Sequence, residues 1–173
     1  MMLKLHGSLE CMGLHRDLIG ENASLEGYKL LISPFLPYVS DEYICKASEF
    51  VQNGGIWIIG PMTGYRTKEH TVHTDRCLSS LEELAGVRVK YFYPMSNTGA
   101  MGCFKEMSAP LVLHGCILEP VEAESVGSIK GGLTPDYSFI TEKKLGKGKI
   151  VLLGAMPNIN LKEGQALWRG IIE

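Results

Sequence analysis

The sequence predicts an α/β protein with a mostly parallel sheet and an antiparallel hairpin near its C-terminus. Three observations carry this. Two short apolar runs, Tyr28 to Ile32 and Ile56 to Ile59, flank a capped amphipathic segment at the spacing of a strand–helix–strand unit. Val87 to Tyr93 alternates like a strand with one wet face and stops at Pro94. Ser138-Phe139-Ile140 and Ile150 to Leu153 face each other across Gly146-Lys147-Gly148, the strongest hairpin signal in the chain.

Taken in order, Met1 to Met12 reads as a helix, with Leu5, Leu9 and Met12 at four- and three-residue steps. Tyr28 to Ile32 reads as a buried strand closed by Ser33-Pro34, because the residue before a proline is biased toward extended backbone. Ser40 suits the N-cap of a helix from Asp41 to about Gln52, with Asp41 and Glu42 at the positive end of its dipole and Asn53-Gly54-Gly55 as the stop. Ile44, Ala47 and Val51 would form its buried face, widened by Tyr43 and Phe50. With Ile56 to Ile59 this makes a right-handed parallel unit, whose sites form where the strands' carboxyl ends meet loops. Those loops are residues 34–39 and 60–64. Leu78, Leu81 and Leu84 mark a short amphipathic helix on which Glu82-Glu83 reads as the solvated face. Residues 94–109, with three Met and few anchors, read as a long mobile loop. Leu111 to Leu113 and Cys116 to Leu118 look like a strand or strand pair, and Leu161 to Ile172 closes the chain as a helix.

Gly60-Pro61-Met62-Thr63-Gly64 has the outline of a nucleophile elbow, but Met62 stands where Ser or Cys would be. A thioether has no proton to lose, so the elbow is degenerate and offers a hydroxyl only at Thr63. The plainer reading, two glycines permitting a turn after a buried strand, is preferred.

Several segments resemble a known family. Leu25 to Pro34, Phe50 to Gly55, the polar stretch from Gly64 to His73, Leu81 to Val89, and Gly146 to Gly154 follow one another as in the middle, trimerisation domain of family 42 β-galactosidases. The resemblance spans roughly residues 12 to 172. It implies a three-layer sandwich of the flavodoxin-like, class I glutamine amidotransferase-like kind, within a single domain over residues 1–173. It also implies a strand ahead of the first helix, which this sequence lacks. Loss of an interior strand would leave unpaired backbone groups that something must cover. In that family the sugar is cleaved on a separate (β/α)8 barrel, and no carboxylate pair here has a legible glycosidase geometry.

The function expected is therefore that of a non-catalytic oligomerisation module in a β-galactosidase. Its partners would be further copies of itself, most simply a trimer, and a catalytic barrel. Alternatives are an amidotransferase-like cysteine hydrolase using Cys103, and a small-ligand domain binding around Pro34, Pro61 and Thr63. The aromatic run Tyr91-Phe92-Tyr93, leading into the Met-rich segment with Cys103, is a candidate partner surface.

Composition narrows the field. A length of 173 residues with 45% hydrophobic content suits one domain with a real core. A net charge of −2 and a pI near 6.2 argue against nucleic acid as a partner. No apolar run approaches the roughly 20 residues that span a bilayer, and no signal-peptide core follows the N-terminus, so no membrane is expected and the cytoplasm is the default. Five scattered cysteines, Cys11, Cys45, Cys77, Cys103 and Cys116, suit reduced thiols. His70, His73 and Cys77 have the only metal-like spacing, too few ligands for a zinc site, so neither a metal nor a cofactor is expected.

Overall fold

The computed structural model describes residues 2–133 and 135–173. In chain order the elements are α1 (Met2–Cys11), β1 (Leu30–Ser33), α2 (Asp41–Gln52), β2 (Ile56–Ile59), α3 (Ser80–Ala85), β3 (Val87–Pro94) and β4 (Met101–Phe104). There follow β5 (Met107–Val112), β6 (His114–Pro120), β7 (Glu124–Lys130), β8 (Ser138–Leu145), β9 (Gly148–Leu153), β10 (Met156–Pro157) and α4 (Lys162–Ile172).

The N-terminal unit forms as its residues dictate, with β1 and β2 pairing in parallel, Leu30 opposite Ile56 and Ser33 opposite Ile59. The Ser40 hydroxyl accepts the Tyr43 amide at 3.1 Å, satisfying one orphan donor at the start of α2, and Asn53 caps the end. Ala47 and Val51 are fully buried against β2 and β9. The expected first helix is α1; Met1 lies outside the described residues.

The sheet as a whole corrects the predicted architecture. It is a ten-stranded mixed sheet that curls into a half-barrel, rather than a helix-flanked, mostly parallel three-layer sandwich of the flavodoxin-like or amidotransferase-like kind. Among the described strand pairs only β1–β2 and β2–β9 are parallel. The others, β3–β6, β4–β5, β4–β7, β6–β8, β7–β8, β8–β9 and β5–β10, are antiparallel. The reason is connection length. Among the described residues from Val87 to Pro157 no helix intervenes, and a parallel crossover needs a dozen or more residues, so neighbouring strands there pair antiparallel.

The expected mobile loop over residues 94–109 is another correction. β4 and β5 form a tight hairpin there, Phe104 paired with Met107 and Met101 with Pro110, and Met95 is fully buried. Its turn is Lys105-Glu106, with Lys105 at φ 53°, and lacks the Asn-Gly or Asp-Gly pair by which such turns are read. The C-terminal hairpin does follow its signal, with Leu145 opposite Gly148 and Ile140 opposite Leu153.

Two apolar clusters hold the sheet. One gathers Leu5, Ile58, Phe139, Leu153, Leu167 and Trp168; the other gathers Ala47, Val51, Trp57, Leu81, Val87 and Leu152. β2 and β9 feed both by alternation, Ile58 and Val151 into the first, Trp57 and Ile150 into the second.

Candidate functional site

The loops after β1 and β2 meet as the parallel unit requires. Gly60 donates its amide to the Ser33 carbonyl at 2.7 Å, and the Gly64 amide donates to the Leu36 carbonyl at 2.8 Å. Gly60 is there for space: a Cβ on it would stand 2.0 Å from the Pro34 carbonyl oxygen. Pro34, Gly60, Pro61, Thr63 and Gly64 are all buried. The elbow is thus folded inward.

Its one hydroxyl is spent. Thr63 Oγ1 donates to the Ser33 carbonyl at 3.1 Å and accepts the Leu36 amide at 3.3 Å, joining the two loops. Met62 has a positive φ of 58°, and its amide donates to the Cys116 sulfur at 3.2 Å. Burial pushes the Cys116 thiol up to about 12, although the Met62 amide pulls it down, so at neutral pH it is a thiol held away from solvent. Ser33 is the hub beneath. Its hydroxyl accepts Trp57 Nε1 at 2.9 Å and lies 2.9 Å from the Tyr43 hydroxyl, whose own pKa is raised chiefly by burial. These groups bind one another and act as a staple between β1, α2 and β2.

A labelling prediction arises here. At pH 8 a thiol reagent is expected to modify the exposed Cys11 and Cys45 of the folded protein and to leave Cys116 untouched, as read by peptide mass spectrometry. Because the Cys116 pKa lies above its unfolded value, its contribution to stability is complete below about pH 8.5 and is lost as pH rises toward about 12. The alkaline fall in unfolding free energy is therefore expected to be shallower in Cys116→Ala.

The aromatic run divides. Phe92 packs edge-on against Tyr65, centroids 5.8 Å apart, while Tyr65 also contacts Phe35 and carries the Arg66 guanidinium at 5.0 Å. Tyr93 packs against the opposite cluster, and Tyr91 stands in solvent at 44% exposure. A register shift between Val89 and Phe92 accompanies this division. Cys103 sits half-buried on β4, opposite Ser108 and Ser128, and is a strand residue rather than part of a loop. His70 and His73 lie about a small loop closed by the Arg66–Val72 bridge, and the His70 carbonyl accepts from the Arg66 guanidinium.

Glu82 is a residue that sequence reasoning misplaced. It is buried rather than solvated: its carboxylate accepts the Leu78 amide at 2.8 Å and the Val89 amide at 3.0 Å, tying the segment just before α3 to β3. Glu83 alone faces solvent, paired with Arg76 at 3.2 Å. The signal was present, since Leu78, Glu82 and Ala85 share one helical face at four- and three-residue steps.

Comparison with known proteins decides the family. Residues 2–172 match the family described as the beta-galactosidase trimerisation domain. The chain belongs to the β-galactosidase trimerisation-domain family. Beta-galactosidase YesZ of Bacillus subtilis is 43% identical over 160 residues, covering 92% of this chain and 24% of that protein. Beta-galactosidase YesZ of Bacillus licheniformis is 45% identical over 157 residues, covering 91% and 24%. The solved beta-galactosidase of the haloarchaeon Halorubrum lacusprofundi superposes with a TM-score of 0.85 at 19% identity, over 96% of this chain and 25% of that one, which is a likeness of fold. The trimerisation-domain chain thus spans about a quarter of the length of these relatives. Among its described residues no helix is long and apolar enough to cross a membrane, and no three His, Cys, Asp or Glu cluster as metal ligands do.

Proposed function

We propose that this trimerisation-domain chain is a non-catalytic, oligomer-forming module of a β-galactosidase, forming a trimer through copies of itself and working with a catalytic barrel on which the sugar is cleaved. The observation that carries the reading is the match along residues 2–172 to a family defined by trimerisation. The geometry of the elbow supports it, because Thr63 and Cys116 are committed to internal hydrogen bonds where a hydrolase would present a nucleophile. We place the module in the cytoplasm, where five free cysteines are at home.

Size exclusion with multi-angle light scattering tests the association. The expected mass is three times 19.0 kDa, held over a tenfold dilution. A monomer at all concentrations would overturn the claim that this segment carries the contact by itself.

A further inference from the structure

The loops that follow β1 and β2 are zipped together beyond the elbow. The Gly64 amide donates to the Leu36 carbonyl at 2.8 Å and the Arg66 amide to the Pro37 carbonyl at 2.9 Å. Past Arg66 the chain turns back on itself, held by the Arg66–Val72 bridge, the Thr67 amide on the Thr71 carbonyl at 2.8 Å, and the two threonine hydroxyls 2.9 Å apart. This makes a braced wall. Between it, the start of α2 and the segment leading into α3 lies a cavity of about 290 Å³, at the carboxyl ends of the parallel strands where ligands settle in α/β units.

The polar part of its lining is Tyr38, Asp41, Arg66, Lys68, His73 and Ser79. Arg66 is fixed in place: Nε donates to the Tyr65 hydroxyl at 2.9 Å, Nη1 donates to the His70 carbonyl, and the guanidinium lies 5.0 Å over the Tyr65 ring. Nη2 is left over. Among the described residues none of Arg66, Lys68 and His73 pairs with a carboxylate. A guanidinium ordered in advance beside an unpaired lysine suits a carboxylate or a phosphate.

Asp41 adds a second requirement. An anion made of acceptors alone would meet its carboxylate as a like charge, so the ligand must also bring hydroxyl donors. The Ser79 hydroxyl makes no cap hydrogen bond to α3 and can join it, while Tyr38 adds a partly exposed ring with an apolar body and a polar tip. A volume of about 290 Å³ stands at the small end of ligand cavities, which run about 300–1,000 Å³, and suits one sugar ring.

We propose that this cavity binds a single sugar ring carrying one anionic group, with Arg66 and Lys68 on the anion and Asp41 and Ser79 on the ring hydroxyls. A uronate and a sugar phosphate share that chemistry. Binding draws on none of the elbow's groups, which are spent internally, and it assumes nothing about association.

The test is a titration of the whole chain followed by amide NMR shifts. The probes are the uronates and the 6-phosphates of glucose and galactose, the two free sugars, and inorganic phosphate. At least one charged sugar is expected to bind with a Kd of about 1 mM or tighter, moving the Arg66, Lys68 and Ser79 amides, and the free sugars and phosphate at least about tenfold more weakly. Which class binds more tightly identifies the anionic group. Lys68 is exposed and makes no hydrogen bond or ion pair among the described residues, so Lys68→Gln leaves the fold intact and is expected to weaken binding about three- to tenfold. No binding by any charged sugar up to about 20 mM would overturn the proposal. So would a free sugar or phosphate that binds as tightly as the charged sugars, or an affinity that Lys68→Gln leaves unchanged. The light-scattering mass reports on the module reading alone, so a trimer that ignores every probe sinks only this site.

Discussion

Trp57→Ala is expected to cost about 3–5 kcal/mol, enough to leave a domain of this size largely unfolded at modest urea concentrations. Trp57 is fully buried at the centre of β2, between β1 and β9, with Tyr43 edge-on at a centroid distance of 6.0 Å. Truncation empties a space that α2 cannot fill without releasing Ala47 and Val51, and it strips Ser33 of the indole donor. Trp57→Phe separates the two effects, keeping much of the ring volume while losing the hydrogen bond. Its expected loss is well under half that of alanine. Urea denaturation followed by far-UV circular dichroism reads both. Equal stability of the alanine variant and the parent would mean that the staple around Ser33 does not hold the parallel unit.

The second large effect is expected at Glu82. Glu82→Ala leaves the Leu78 and Val89 amides buried without acceptors, at about 1–3 kcal/mol each. Glu82→Gln retains one carbonyl acceptor but turns an amide donor toward the other N–H, so it recovers about half of the loss. Hydrogen exchange distinguishes this from general loosening. The Leu78 and Val89 amides are expected to lose protection in both variants while Ile58 and Val151, in the far cluster, keep theirs relative to global stability. Uniform change across all four sites would argue that Glu82 is not a local clamp.

The parallel unit was legible because each of its signals is local. Ser33-Pro34 ends a strand, Ser40 with Asp41 and Glu42 starts a helix, Asn53-Gly54 stops it, and four apolar residues follow. The family was legible for a related reason: its motifs are ordered runs that survive at the turns and strand ends. The half-barrel was not. Extending the parallel pattern past Val87 required crossover helices, and the stretch that hid the β4–β5 hairpin has Lys105-Glu106 at its turn, residues without turn preference. The pairing of β4 with both β5 and β7 is decided by contacts distant in sequence.

The candidate site divides in the same way. Sequence alone determined that Met62 has no proton to lose and that Gly60 and Gly64 make a turn, because those are facts of residue chemistry and backbone freedom. Tertiary structure alone decided that Thr63 turns its hydroxyl onto Ser33, that Cys116 comes from a strand 54 residues away to meet the Met62 amide, and that Glu82 is buried. It also decided that β1 stands at one end of the described strand order, beside a cavity of about 370 Å³. The physical reason is range. Caps, turns and short apolar runs are set by neighbours a few residues apart, whereas burial and strand pairing depend on which distant segments fill the space beside them.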